Sequence, residues 1–420
     1  KAIFLQTYKK KKMEKKKIGM EIVNPNAAGI DVGSRSHFVA IGQRKEDVKE
    51  FGVYADDNQS IVKWLKENKI KTVAMESTGN YWQNLFSALQ EAGFEVLLAN
   101  GKFTKNIKGK KTDVQDCQWI MKLHSLGLLS SSFLPDETTE QLRTYCRHRN
   151  NLLEMAASAS KKMQKYLRLM NFRLDVVVND VCGLTGLSII DSICKGESDP
   201  KKLASLRHGN CKKSEVEIAK ALQSNGRKDY LFALIQEYQI YLEVQTKIVS
   251  CDQEINKFTS DYIENNESMK HLKTDDKIHK RTNKNCIKSM DLNQVAFKYF
   301  NGVDLMKIEG LSHSTILSVM SEIGPEGFKK FPTGDHFASW LRLAPNNKVS
   351  GGKILSSRVP KGSNRLKIAL RLAANTIGNM KGANLHNFFI RICIRKGRTA
   401  AITATARKLA IIIWNMVVKR

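Results

Sequence analysis

The sequence predicts a mixed α/β domain at the N-terminal end of the chain, followed by mostly helical regions. Strand-like and helix-like runs alternate between residues 25 and 130, helical periods dominate from residue 137 onward, and 42% of the 420 residues are hydrophobic, which is enough apolar material for folded cores. We divide the chain into a basic tail expected to be disordered (1–22), an α/β domain (23–135), a helical middle region with a basic linker (136–300) and a mainly helical C-terminal domain with a serine loop (301–420).

The α/β domain begins with three strand-like runs in succession, at Ala28–Val32, His37–Ile41 and Val48–Tyr54. Helix-like and strand-like runs then alternate over Asn58–Asn68, Lys71–Glu76, Trp82–Ala92, Glu95–Ala99 and Thr112–Leu126. Three strands followed by this alternation is the order of the ribonuclease H-like fold, whereas a doubly wound sheet would alternate from its first strand. The sequence therefore predicts a ribonuclease H-like N-terminal domain.

The rest of the chain consists of predicted helices separated by polar loops. Residues 137–175 and Tyr230–Ile263 show long helical periods, and residues 180–230 mix short helices with loops that contain Gly and Lys. Residues 264–300 are polar and basic, which is typical of a linker or an exposed insertion. A last, mainly helical unit is predicted from Val303 to the end of the sequence.

The composition predicts a polyanionic partner. The chain carries 69 Lys and Arg against 41 Asp and Glu, a formal net charge of +28, so nucleic acid is the expected partner and an anionic membrane surface is the rival. We expect no membrane partner, because the richest apolar run, Leu409–Val418, is short and contains Trp414 and Asn415. The eight cysteines form no CxxC pair, which argues against a zinc ribbon or a thioredoxin-like site and fits a reducing cytoplasm.

Four acidic residues lie where a ribonuclease H-like sheet would bring them together. Asp31 sits inside an apolar strand, where a carboxylate is costly unless it is paired or binds a cation. Glu76 ends a second apolar strand, and Asp113 and Asp116 share one face at the start of a helix. Because carboxylate oxygens are ligands that Mg²⁺ prefers, and because two Mg²⁺ ions stabilise both the attacking and the leaving oxygen of a phosphodiester exchange, the four acids are candidate metal ligands and catalytic residues.

Three of these acids can also be accounted for structurally, whereas Asp31 is harder to explain in this way because its neighbours on both sides are apolar. Asp113 and Asp116 can simply favour the positive end of a helix, and Glu76 can be a charge at a strand end. Gly29–Ser34 also resembles the first phosphate loop of the actin-like ATPases, in which Asp31 would serve Mg²⁺. That class needs a second Asp-Gly loop and a glycine-rich adenosine loop, which we do not find, and it would leave the positive charge unexplained.

A second candidate site surrounds Ser350, which lies in a loop between lysines and is followed by two glycines. A serine hydroxyl can attack phosphorus if it is oriented and if cations meet the developing charge. The candidate nucleic-acid-binding cations around it are Lys348, Lys353, Arg358, Lys361 and Arg365. No His or Asp stands beside Ser350, so a protease-like triad is not indicated, and the alternative is an ordinary turn on a basic, DNA-facing surface. Upstream, Ile308–Leu311 fits either a helix-hairpin-helix turn or a plain helical corner.

These motifs together resemble a family. Residues 28–37, Glu76–Tyr81, Lys111–Asp116 and the Leu-Ala-Pro and Ser-Gly-Gly segments around Ser350 are similar to the DEDD-type transposases of bacterial insertion sequences, the insertion sequence 110 family. The resemblance covers about 25–170 and about 300–390, and the middle segments Gly196–Pro200 and Cys211–Lys213 are similar to one subgroup. It departs from the family pattern at Arg342, where Gly is common, and at Cys117, where Ala is usual.

The resemblance implies a function and a site. The family's four RuvC-like acidic positions fall on Asp31, Glu76, Asp113 and Asp116, which would hold Mg²⁺, and its nucleophilic serine falls on Ser350. The two parts would form one composite site that cuts and rejoins DNA through a covalent phosphoserine intermediate. The implied enzyme is a transposase and site-specific DNA recombinase, and the alternative is a RuvC-like hydrolytic nuclease acting on branched DNA.

The resemblance also implies partners. Members of the family are guided by a structured bridge RNA that pairs with donor and target DNA. A helical middle region would support a homo-oligomer, from a dimer to a tetramer, in the bacterial cytoplasm at the nucleoid. A third, non-catalytic interpretation is a basic RNA-binding scaffold with a degenerate site.

Overall fold

The computed structural model describes residues 21–77, 79–101, 112–273, 284–362 and 364–419. This part of the chain falls into two compact units, one up to Leu134 and one from Pro135 onward. Nearly all of the predicted basic tail, ten residues of the predicted basic linker (274–283) and Lys111 of the third acidic motif lie outside the described residues.

The first unit is built on a five-stranded mixed sheet in the order β3-β2-β1-β4-β5. The strands are β1 (Ala27–Val32), β2 (His37–Ala40), β3 (Val48–Phe51), β4 (Thr72–Glu76) and β5 (Glu95–Ala99). Strand β1 runs parallel to β4 and β4 parallel to β5, whereas β2 is antiparallel to both β1 and β3. The helices are α1 (Ala55–Glu67), α2 (Trp82–Glu91) and α3 (Asp113–Ser125). The predicted element order is confirmed, although β3 ends at Phe51 rather than at Tyr54.

Side-chain alternation along β1 divides the core of this unit into two layers. Ala28, Ile30 and Val32 pack in one hydrophobic cluster with α1 and α2. The residues between them, Gly29 and Asp31, point to the opposite face, where α3 lies across the sheet. The acidic residue of β1 therefore faces α3 and not the main apolar layer.

The second unit is helical up to residue 300, and its two longest helices run antiparallel to each other. Its helices up to residue 300 are α4 (Glu137–Leu169), α5 (Leu174–Val177), α6 (Leu184–Cys194), α7 (Pro200–Ser205), α8 (Glu215–Ala221), α9 (Lys228–Glu264), α10 (Glu267–Lys270) and α11 (Leu292–Tyr299). Helices α4 and α9 run antiparallel, because Arg149 pairs with Asp252 and Lys162, further along α4, pairs with Glu237, earlier on α9. The predicted helical middle region is thus present in its described part.

The C-terminal part of this unit is mainly helical and includes a short hairpin. Its elements are α12 (His313–Glu322), α13 (Gly324–Lys329), α14 (Gly334–Trp340), β6 (Lys348–Ser350), β7 (Lys353–Ser356), α15 (Arg365–Asn379), α16 (His386–Lys396) and α17 (Arg398–Val418). An aromatic cluster centred on Phe328, with Phe300 and Phe337 at 6.4 and 5.0 Å between ring centroids, forms part of its core.

Helix α17 corrects one expectation from the sequence. It has 21 residues and, within the described part of the chain, is the one helix long and apolar enough to cross a membrane by length and composition. The apolar run identified from the sequence, Leu409–Val418, is only the second half of this helix, which begins at Arg398. Its buried residues include Ala406 and Trp414, and the indole Nε1 of Trp414 donates a hydrogen bond to the carbonyl oxygen of Phe328 at 3.2 Å. One face of α17 therefore packs against the core of the second unit.

Candidate functional site

Three of the four predicted acidic residues converge. Asp31, Asp113 and Asp116 each offer a carboxylate oxygen, and these oxygens all lie within 4.8 Å of one another. Asp31 and Asp116 are half-buried and Asp113 is exposed, so the group is anchored in the protein and open to solvent on one side. Among the described residues, no other group of His, Cys, Asp and Glu has this spacing.

A close approach between α3 and β1 brings these carboxylates together. A Cβ built on Gly29 would lie 2.5 Å from the carbonyl oxygen of Cys117 and 2.6 Å from the Cα of Met121. Only a glycine leaves room for the helix backbone at this distance. The helix therefore crosses β1 two residues before Asp31, which places its first turn beside that carboxylate.

Both ends of α3 are fixed independently of the acids. At the start, the hydroxyl of Thr112 accepts a hydrogen bond from the backbone N–H of Gln115 at 3.3 Å, so the helix is capped by Thr112. At the end, the Nε2 of His124 lies 2.8 Å from the hydroxyl of Thr72 on β4. Since the cap comes from Thr112, Asp113 and Asp116 are not needed for it, although both still lie at the favourable end of the helix dipole.

Glu76 lies on the strand next to Asp31 but outside the group of three. Ile30 pairs with Met75, so Asp31 and Glu76 follow at neighbouring positions of parallel strands and share the face that α3 covers. Atoms of the Glu76 side chain lie close to Gly101, in the space that a Cβ on that residue would occupy. The predicted pairing of the two strands is confirmed, and the structure places the Glu76 carboxylate beside the segment that follows β5.

The three-carboxylate group fits a hard divalent cation. It offers oxygen ligands only, which suits Mg²⁺ or Mn²⁺ better than a soft metal. Burial raises the pKa of the neighbouring Cys117 thiol to about 12, and the negative charges of Asp31 and Asp116 add to this effect, so the thiol stays protonated. A protonated, buried thiol is a packing group here and not a metal ligand.

Ser350, which was expected in a loop, is the last residue of strand β6, directly before the turn of a hairpin. Gly351 and Gly352 have φ values of +52° and +73°, which is the left-handed conformation that a two-residue hairpin turn of type I′ requires. The turn places Ser350 directly opposite Lys353 on β7. Ser350 is exposed, so its hydroxyl is accessible to a large substrate.

The five predicted cations all lie at the surface near this hairpin in sequence. Lys348 and Lys353 are on its strands, Arg358 follows β7, and Lys361 and Arg365 lead into α15. The charge of the whole segment points the same way, because residues 336–420 contain 17 Lys and Arg and no Asp or Glu. A segment with this excess of positive charge attracts phosphates.

Two residues that were not predicted from the sequence hold the segment after the hairpin. Arg342 has a φ of +55° and donates from Nη1 to the carbonyl oxygen of Lys361 at 2.5 Å. Lys367 is buried, with its Nζ 3.5 Å from the carbonyl oxygen of Gly362. Burial, and then the charges of Arg371 and Arg342, lower the pKa of Lys367. The sequence offered one signal for Arg342, namely that a glycine is common at this position in the family it resembles.

The candidate helix-hairpin-helix turn is a tight corner that packs on α15. Gly310 has a φ of +80°, and a Cβ on it would lie 3.0 Å from the carbonyl oxygen of Ala373. The hydroxyl of Ser312 then caps α12 by accepting from the N–H of Thr315 at 3.3 Å. This packing explains the glycine without a ligand.

Comparison with known families places both candidate sites inside matched segments. Residues 28–172 match a family model for DEDD transposases of IS110 elements, described as "Transposase", and residues 304–389 match one described as "Transposase IS116/IS110/IS902 family". The first match contains Asp31, Glu76, Asp113 and Asp116, and the second contains Ser350. Together the two matches cover more than half of the chain. No curated protein matches it significantly.

Proposed function

Because the chain belongs to the IS110 family of DEDD transposases and is therefore an enzyme that acts on DNA, we propose that it cuts and rejoins DNA through a covalent bond to Ser350, with Mg²⁺ as its cofactor. The observation that carries this proposal is the convergence of Asp31, Asp113 and Asp116, while the exposed hydroxyl of Ser350 supplies a nucleophile that a purely hydrolytic enzyme does not need. Glu76 completes the proposed metal-binding set from the adjacent strand.

The acidic residues have a defined task in this proposal. Asp31, Asp113 and Asp116 would hold the cation, with Glu76 reaching it from β4. When bound, Mg²⁺ stabilises negative charge on the phosphate oxygens during the exchange. The half-buried position of Asp31 keeps its carboxylate oriented, because β1 is held by hydrogen-bonded neighbours on both sides.

Ser350 carries out the covalent step. Its Oγ forms a bond to the DNA phosphorus, the bond from phosphorus to one of the two sugar oxygens breaks, and the hydroxyl proton ends on that leaving oxygen. The number of phosphate ester bonds is unchanged, so the step needs no external energy source and reverses when a strand hydroxyl attacks the phosphoserine. Lys348 and Lys353 flank the serine on the hairpin and would offset charge on the phosphate.

A trapped adduct tests this chemistry. We expect the wild-type protein to form a denaturant-resistant adduct with DNA that spans the end of its element, and Ser350→Ala to abolish it while DNA binding persists. Ser357→Ala, which changes an exposed serine one residue beyond β7, is the matched control and should keep the adduct. Cleavage that persists in Ser350→Ala and needs Asp116 would instead identify a hydrolytic nuclease of the RuvC type.

We also assign the first unit to the ribonuclease H-like, RuvC-like fold. The support is its strand order with β2 antiparallel in an otherwise parallel arrangement around β1 and β4, and the position of α3 across β1. A solved structure in which β2 ran parallel to β1 would contradict the assignment.

A guide RNA is the proposed second nucleic-acid partner. The support is the resemblance to RNA-guided members of the family and a net charge of +28, which exceeds what one short DNA contact would use. A guide duplex would be held through its backbone while base pairing reads the sequence. RNA transcribed from the DNA that flanks the gene should bind more tightly than a scrambled RNA of equal length, and equal binding would contradict guidance.

Self-association is the proposed assembly. Helix α9 buries one face against α4 but also carries apolar side chains on its outer face, where Ile235, Leu242 and Val249 recur at intervals of seven residues. Leu242 and Val249 are exposed, and heptad spacing of aliphatic residues is typical of a coiled-coil seam. We expect Leu242→Glu combined with Val249→Glu to lower the mass measured by light scattering, and an unchanged mass would contradict this seam. We place the enzyme in the cytoplasm, with its DNA.

A further inference from the structure

The hairpin that carries Ser350 has two chemically different faces. Ser350 pairs with Lys353 and Val349 pairs with Ile354. Because neighbouring residues on a strand point to opposite faces, Ser350 and Lys353 lie on one face and Val349 and Ile354 on the other. The nucleophile and a cation therefore face one way, and two branched apolar side chains face the other way.

The apolar side chains of this hairpin are left in solvent. Val349 and Ile354 are 59 and 65% exposed, and a Cβ on either turn glycine, Gly351 or Gly352, would meet nothing within 4 Å. Full burial of a large aliphatic side chain stabilises a protein by about 1.5–3 kcal/mol, and the exposed side chains of this hairpin do not contribute that stabilisation. An isolated two-stranded hairpin is only marginally stable in water. These features indicate that the Val349–Ile354 face is covered by a binding partner in the active complex.

Charge decides what covers it. The hairpin lies within the 85 residues that follow Asp335, and this segment has 17 basic residues and no acidic ones. Lys348 and Lys353 are part of the hairpin itself. A second copy of this protein would present the same basic segment and would be repelled by the hairpin. A DNA strand instead offers phosphates on its outside, with apolar sugar and base surfaces within about 10 Å of them, by the dimensions of the grooves.

We propose that the Val349–Ile354 face is a wedge that unstacks a base step of the DNA next to the phosphate that Ser350 attacks. The inference rests on the proposed nucleophile for its location but not for its own test. When the hairpin lies inside a groove with Ser350 turned to the phosphate of one wall, its opposite face is turned to the sugars and bases across the groove. Apolar side chains inserted between bases open and kink a duplex. Contacts between the flanking lysines and the DNA phosphates would offset the free-energy cost of unstacking. An opened step also frees a strand for pairing with another one.

The experiment measures unstacking without chemistry. The full-length protein in a Ser350→Ala background is mixed with its RNA and a DNA duplex that spans the element end and carries 2-aminopurine beside the junction phosphate. Its emission should rise severalfold when the base leaves the stack, because inserted apolar side chains unstack a base step. Val349→Thr combined with Ile354→Thr keeps two strand-favouring, β-branched residues and removes the apolar face, so the rise should disappear. Affinity should change less than about threefold, since the phosphate contacts remain.

Two controls distinguish a wedge from a loss of DNA binding or of surface apolarity in general. Leu372→Thr, on α15, changes a side chain that is 65% exposed, like Ile354, and should leave the emission rise intact. With Ser350 restored, the double Thr variant should form little adduct on duplex DNA and regain it on DNA with two mismatches at the junction. An undiminished emission rise in the double variant, no rescue by mismatches, or a changed oligomeric mass that assigns the face to a second copy would each overturn the proposal. Failure of the adduct alone, with the emission rise intact, would count against the nucleophile and not against the wedge.

Discussion

Replacing Gly29 by Ala should damage the acidic centre without touching a carboxylate. The new methyl group would lie 2.5 Å from the carbonyl oxygen of Cys117 and 2.6 Å from the Cα of Met121, both of which are backbone atoms of α3. Ordinary contact needs about 3.5 Å, so the helix must move away from β1 by about 1 Å. Overpacking of this kind costs about 1–3 kcal/mol.

The same movement carries Asp113 and Asp116 away from Asp31. Mg²⁺ binds its oxygen ligands at about 2.0–2.1 Å in nearly fixed geometry, so a shift of this size breaks the shared coordination. Loss of the groups that orient metal ligands typically weakens metal binding by about 10–100-fold. We therefore expect Gly29→Ala to raise the Mg²⁺ concentration that gives half-maximal adduct formation by about this factor.

Two control variants separate metal binding from general instability. Ile61→Val removes one buried methyl group from the sheet face opposite α3, at a cost of about 1 kcal/mol, and should leave the Mg²⁺ midpoint unchanged. Gly186→Ala introduces a backbone clash in the second unit, with a Cβ 2.6 Å from the carbonyl carbon of Val181. The role of Gly29 as a spacer for the metal site is refuted if Gly29→Ala lowers the melting temperature but leaves the Mg²⁺ midpoint where it was, or if both controls raise that midpoint equally.

Further predictions concern pH and the backbone near the hairpin. Burial lowers the pKa of His37 and of His124 below 6.5 in the folded protein, although the charges of Asp57 and Glu95 partly oppose this shift. The unfolded chain therefore binds more protons than the folded one. The free energy of unfolding should fall as the pH drops below about 6.5, by up to about 1.4 kcal/mol per pH unit for each histidine. Urea unfolding between pH 7.5 and 5.5 measures this fall, and a rise in stability over that range would contradict it. Arg342→Gly removes both the hydrogen bond to Lys361 and the strain of the left-handed backbone, whereas Arg342→Ala removes the bond and keeps the strain. The Ala variant should therefore be less stable than the Gly variant by about 1 kcal/mol. Equal urea midpoints for the two variants would show that the backbone at this position is not strained.

Periodicity and residue type were enough to predict the sheet and the candidate acids. The nearly continuous apolar runs of β1 and β4 identified buried strands, and a carboxylate in such a strand stood out because it is costly there. The spacing of Asp113 and Asp116 placed both on one helical face. These are local features, and local sequence determines them.

The parts that escaped prediction depend on contacts between distant segments. The function of Gly29 as the crossing point for α3 appears only when the helix backbone is in place, because the sequence shows a glycine without showing its neighbour. The position of Glu76, outside the group of three, depends on the chain after β5. The two glycines after Ser350 indicated a turn, but the strand pairing that sorts Ser350 and Val349 onto opposite faces follows from the hairpin register.

The two candidate sites differ in how they are held, and this difference makes a double variant informative. The acids stand on β1 and α3, which pack in the core of the first unit, whereas Ser350 stands on an exposed hairpin of the second unit. Because each unit has its own core, the stability losses of Asp116→Asn and Ser350→Ala should add. Adduct formation should not add, since either change alone removes a group required for the same step, and the double variant should be no less active than the weaker single one. Additive losses of activity in a single-turnover assay would mean that the acids and the serine act in separate reactions.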